Sequence, residues 1–82
     1  SVKSRRMNEV FKKIKSLAEP LNSWDLNESI RRVEESYLMM LKYTIDGIED
    51  PNREAVYADI VASIYRILDV ITRETLRKEQ SA

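Results

Sequence analysis

The chain has 82 residues, 43% of them apolar and 34% charged, and its fourteen basic side chains equal its fourteen acidic ones. That length admits one small domain, 1–82, and that composition excludes disorder throughout. A net charge of zero removes the simplest electrostatic case for nucleic acid or an anionic membrane as the main partner.

The chain contains neither cysteine nor histidine. Disulfides and the usual zinc sites are therefore excluded, and the fold must rest on apolar packing. A domain of this size buries only about 60–65% of its unfolded surface, so its stability margin is thin. No apolar run approaches the ~20 residues of a membrane span, and no signal-peptide pattern opens the chain. Lack of cysteine fits a reducing compartment, and a cytoplasmic location is the expectation. Because the chain begins at Ser1 rather than Met, it is expected to be a domain excised from a longer protein.

The spacing predicts a first helix over about 2–19. Met7, Val10, Phe11, Ile14, Leu17 and Ala18 recur at i, i+3, i+4 and cover an arc of about 120°, one buried stripe. Arg5, Arg6, Lys12 and Lys13 lie opposite it. Pro20 to Trp24 reads as a connection. Asp25 is a plausible N-cap for the next helix, with Glu28 as the acidic half of a capping box, and Ser23 competes with it as cap. Trp24 is expected to close the end of the bundle with its ring, or else to serve as a binding hot spot.

A second helix is predicted over about 25–46, with Leu26, Ile30, Val33, Tyr37, Met40, Leu41, Thr44 and Ile45 on one side. Gly47 supplies a left-handed stop and Ile48 the apolar contact of a Schellman turn. Asp50 as N-cap and Pro51 at the first helical position then open a third helix over about 51–78. So short a connection makes the second and third helices antiparallel. The fold class expected is all-α: an up-down-up three-helix bundle, a long hairpin with the first helix packed across it. There is no internal repeat and no low-complexity segment.

Surplus surface is where function is legible. On the third helix Val56, Tyr57, Ile60, Val61, Ile64, Tyr65, Ile67, Leu68, Val70 and Ile71 cover about 220° of the wheel. Two neighbouring helices account for less than that. Tyr57, Val61, Tyr65 and Leu68 are therefore candidate interface residues, unless the tyrosine rings are buried at the margin with only their hydroxyls wet. Met39 and Tyr43 lie away from the main stripe of the second helix and form a second candidate patch. The competing expectation packs them under the third helix, or Tyr43 against Ile48.

Residues 1–24 carry six basic and two acidic side chains, a net of +4, and residues 25–50 three and seven, a net of −4. Lys3, Arg5, Arg6, Lys12, Lys13 and Lys15 could touch phosphates, but no aromatic residues or glycine-rich loops interleave them. Packing of the basic first helix beside the acidic second is the simpler expectation. Glu34 falls inside an apolar stripe and must lie at its edge or pair with a base. Glu34 and Glu35 project about 100° apart, and without histidine or cysteine no second group is poised for catalysis. The expectation is a non-enzymatic domain with no cofactor and no metal.

The stretch from Tyr37 through Leu38, Met39, Met40 and Leu41, across Asp46-Gly47-Ile48-Glu49-Asp50-Pro51, to Tyr57 resembles a segment near the N-terminus of large uncharacterised bacterial helical-repeat proteins. The resemblance covers about a quarter of the chain. It implies a domain on which further helices of a longer protein pack, and it carries no catalytic residue or ligand. The function expected is a protein–protein interaction or self-association module. Nucleic-acid binding through the first helix and a purely structural solenoid segment are the alternatives.

Overall fold

The computed structural model describes residues 2–47 and 51–81, with side chains from Arg5 onward. Three helices follow in chain order: α1 Val2–Ala18, α2 Trp24–Ile45 and α3 Arg53–Gln80. They form the expected up-down-up bundle, in which α2 and α3 make the closest pairing and α1 packs on both. The domain is a rod of 51 × 20 × 19 Å. Its long axis is set by α3, whose 28 residues rise about 42 Å.

Each connection has a local chemical cause. Pro20 cannot donate an N–H to continue α1, so Glu19–Leu21 tightens into a 3₁₀ turn. Asn22 then takes a left-handed conformation, φ 48°, one of the few non-glycine residues that tolerates it. Ser23 is extended and its Oγ accepts the N–H of Leu26 at 3.3 Å. Ser23, not Asp25, is therefore the N-cap, and α2 begins at Trp24. Asp25 sits in the first turn, where a carboxylate faces the positive end of the helix. Glu28, freed from any capping box, binds Arg31 instead.

At the other end of α2, Gly47 adopts φ 72° and its N–H reaches the carbonyl of Thr44 at 3.2 Å. This is the left-handed stop expected there. Ile48 and Asp50, assigned to the Schellman contact and the next N-cap, lie outside the described residues. Pro51 and Asn52 form a turn rather than the first turn of α3, and Asn52 occupies the N-cap position of a helix that opens at Arg53.

The core is one cluster. Phe11, Ile14 and Ala18 from α1 meet Leu26, Ile30 and Tyr37 from α2 and Ile60, Ile64, Ile67 and Ile71 from α3. The four isoleucines repeat at the i, i+4, i+7, i+11 spacing of a narrow helical seam. Each such side chain contributes about 1.5–3 kcal/mol when fully withdrawn from water. Met7, Val10, Leu21, Val33, Met40, Leu41, Val56 and Leu68 ring this cluster half-buried. Three members of the α1 and α2 stripes fall outside it. Thr44 and Ile45, at the end of α2, and Leu17, on the edge of the α1 arc, are exposed.

Polar ties are few and peripheral. Lys15 Nζ donates to Glu34 Oε1 at 2.7 Å, joining α1 to α2, so the one carboxylate in the α2 stripe is half-buried and paired. Lys78 Nζ donates to the carbonyl of Pro20 at 2.6 Å, which brings the last turn of α3 beside the first connection. Among the described residues no buried side-chain nitrogen or oxygen lacks a hydrogen-bond partner.

Candidate functional site

The six candidate interface residues divide between two faces. On α3, Tyr57, Val61, Tyr65 and Leu68 follow one another along a single stripe beside the isoleucine seam. Leu76 extends it toward the C-terminal end. Val61 and Leu68 are half-buried, whereas Tyr57, Leu76 and above all Tyr65, 69% exposed, face solvent. Tyr65 is therefore not buried at the margin as the simpler expectation had it, whereas Tyr57 is more than half covered. The α3 arc is about 220° wide, and α1 and α2 together cover only its centre.

On the side toward α1 the stripe meets a recess of about 400 Å³ between the ends of α1 and α3, walled by Leu17, Leu21 and Thr75. Leu17 and Leu76 escaped the sequence reading for different reasons. Leu17 has the spacing of a core residue but lies at the edge of the α1 arc and stays exposed. Leu76 lies beyond the dense apolar run 56–71, and its register with Tyr65 is the signal that could have found it.

Met39 and Tyr43 belong to the other face. Neither is packed under α3: Met39 is 55% exposed and Tyr43 40%. With Met40 on α2 and Val56 and Arg53 on α3 they line a cleft of about 210 Å³ near the tip of the hairpin. Val56 faces this cleft, and Tyr57, one residue on, projects about 100° further round the helix. The two candidate patches are thus separate surfaces. From the cleft a groove runs down the α2–α3 seam, past Val33 and Ser63, to a wider depression of about 590 Å³ floored by Leu26, Ile67 and Val70.

Trp24 does not close the end of the bundle. Trp24 is 74% exposed, because the cap at Ser23 makes it the first helical residue and turns it away from the core positions Leu26 and Ile30.

The basic residues of α1 do not form one phosphate-tracking row. Lys15 is bound to Glu34 and Lys12 approaches Glu9 at 3.8 Å. Arg5, Arg6 and Lys13 surround a shallow recess with Glu9 and Val10, and the side chain of Lys3 lies outside the described residues. The densest charge network is on α2, where Arg31 binds both Glu28 and Glu35 and Arg32 approaches Glu28. The hydrogen bond from Arg31 holds the Glu28 carboxyl below its ordinary value. Glu28 in turn raises the Arg31 guanidinium. In the last turn of α3 Glu74 acts likewise on Arg77. The pairs within α2 and α3 are surface pairs that stiffen their own helices.

No protein-family model, curated protein or solved structure matches the chain. Among the described residues no group of three or more acidic side chains converges as a metal site would require, and no helix is long and apolar enough to cross a membrane.

Proposed function

We propose that this domain is a non-catalytic protein–protein interaction module that self-associates through the outer shoulder of α3. The observation that carries the proposal is Tyr65, exposed at the middle of a stripe whose neighbours Val61 and Leu68 are already half-withdrawn from water. An aromatic ring on an apolar bed gains area at low entropy cost when a partner covers it. Leu17 and Leu76 extend that bed on either side.

Sedimentation velocity from low to several hundred micromolar tests it. Reversible association is expected, and Tyr65→Arg and Leu76→Arg, both at solvent-facing positions, remove the part of it that runs through α3 while leaving helicity intact. A strict monomer across that range, in the parent and both variants alike, overturns self-association through α3.

A further inference from the structure

The cleft near the hairpin tip and the exposed tryptophan are complementary. We propose that the cleft of Met39, Tyr43 and Val56 receives Trp24 of a second copy, so that the domain also assembles head to tail along α2. The contact does not involve the α3 shoulder and stands independently of it.

Three observations support this occupant. The cleft, about 210 Å³, has the size of one large aromatic side chain. Its methionines, Met39 and Met40, are flexible and polarizable, the side chains best able to mould around a ring. Trp24 is the only tryptophan of the chain, and it is held on the first turn of a helix with three-quarters of its surface in water. Charge agrees as well. Asp25 follows Trp24 and Arg53 stands at the lip of the cleft, and neither makes an ion pair among the described residues. A carboxylate beside the inserted ring would meet the guanidinium beside the hole. Trp24 and Asp25 project about 100° apart on one helix. That spread suits a contact spanning α2 and α3, whose axes pack about 8–10 Å apart.

The ring cannot fill the cleft of its own copy. Trp24 and Met39 lie on the same helix, separated by about 22 Å of rise. Knob and hole are at opposite ends, so the contact is heterologous. Each added copy presents a fresh knob and a fresh hole, and the product is an open row or a ring rather than a closed dimer.

Because Trp24 is unique, its fluorescence reports the contact directly. Raising the protein concentration is expected to shift the emission to shorter wavelength in step with growth in sedimentation coefficient. Trp24→Ala keeps the hole and loses the knob, while Met39→Arg keeps the knob and blocks the hole. In the Tyr65→Arg background neither extends into rows alone, and mixing them yields a discrete one-to-one pair in which the remaining tryptophan is blue-shifted. Asp25→Arg and Arg53→Asp each weaken assembly roughly tenfold, and the double variant recovers it. An emission maximum independent of concentration, or the absence of a mixed pair, overturns the proposal. If Tyr65→Arg alone dissolves assembly while Trp24→Ala and Met39→Arg do not, head-to-tail docking falls and the α3 shoulder stands. If the mixed pair survives Tyr65→Arg, head-to-tail docking holds without that shoulder.

Discussion

The rings of Phe11 and Tyr37 meet between α1 and α2 with centroids 5.7 Å apart and planes tilted by 39°, and each keeps only 2% of its surface exposed. This tilted geometry avoids the face-to-face stack that the ring quadrupoles disfavour. It is the main bolt of the first helix, which otherwise presents only Ile14 and Ala18 fully to the core. Phe11→Ala is expected to cost about 3–5 kcal/mol, through lost transfer energy and the cavity left behind. In a domain this small that is most of the folding free energy. Chemical denaturation followed by far-ultraviolet circular dichroism reads the loss, and Phe11→Leu should retain a large part of the stability.

The two rival caps of α2 can be told apart by mutation. Ser23→Ala removes the Oγ that holds the N–H of Leu26 and is expected to destabilise by about 1 kcal/mol. Asp25→Ala removes only a favourable charge near the helix start, worth about 0.3–1 kcal/mol and weakened by salt. Thermal melts of both variants at low and high salt make the comparison. A larger effect at Asp25, independent of salt, contradicts the capping geometry.

Gly47 isolates a backbone effect. A Cβ added there meets nothing within 4 Å, so packing contributes no penalty. Only φ 72° resists a side chain, and Gly47→Ala should cost about 1–2 kcal/mol. Gly47→Asn should cost less, since asparagine tolerates the left-handed region. Equilibrium unfolding midpoints at constant m-value provide the measurement.

Glu28 supplies a pH dependence whose sign is determined. Its carboxyl is held below the ordinary range by Arg31, so the folded state binds this proton more weakly than the unfolded one. The resulting stability is full above the ordinary carboxylate range and disappears as pH falls through the lowered folded-state value. The arginine stays charged throughout. Glu28→Gln should melt slightly below the parent at neutral pH and converge with it in acid. The gap is small because the pair is exposed, and it shrinks further in high salt. A gap that widens on acidification contradicts the assignment.

What the chain determines by itself is local and periodic. Apolar spacing of 3.6 residues specifies three helices, Pro20 and Gly47 punctuate them, and short connections force the antiparallel hairpin. Each of these follows from the conformational limits of a few neighbouring residues, so no long-range information is needed. The two options for Glu34, the stripe's edge or a basic partner, were also legible, and the structure supplies the partner, Lys15. Exposure was decided only by the tertiary structure. Leu17 and Ile14 carry the same apolar signal, but the packing of α1 on its neighbours buries Ile14 and leaves Leu17 wet. The exact start of α2 had the same character. Ser23 and Asp25 are both good caps, and choosing Ser23 made Trp24 helical and set its ring outside the core. Placing Met39 opposite Val56, and Tyr57 on a different face, likewise required the relative rotation of α2 and α3. No single helix encodes that rotation, because it depends on how the side chains of both interlock.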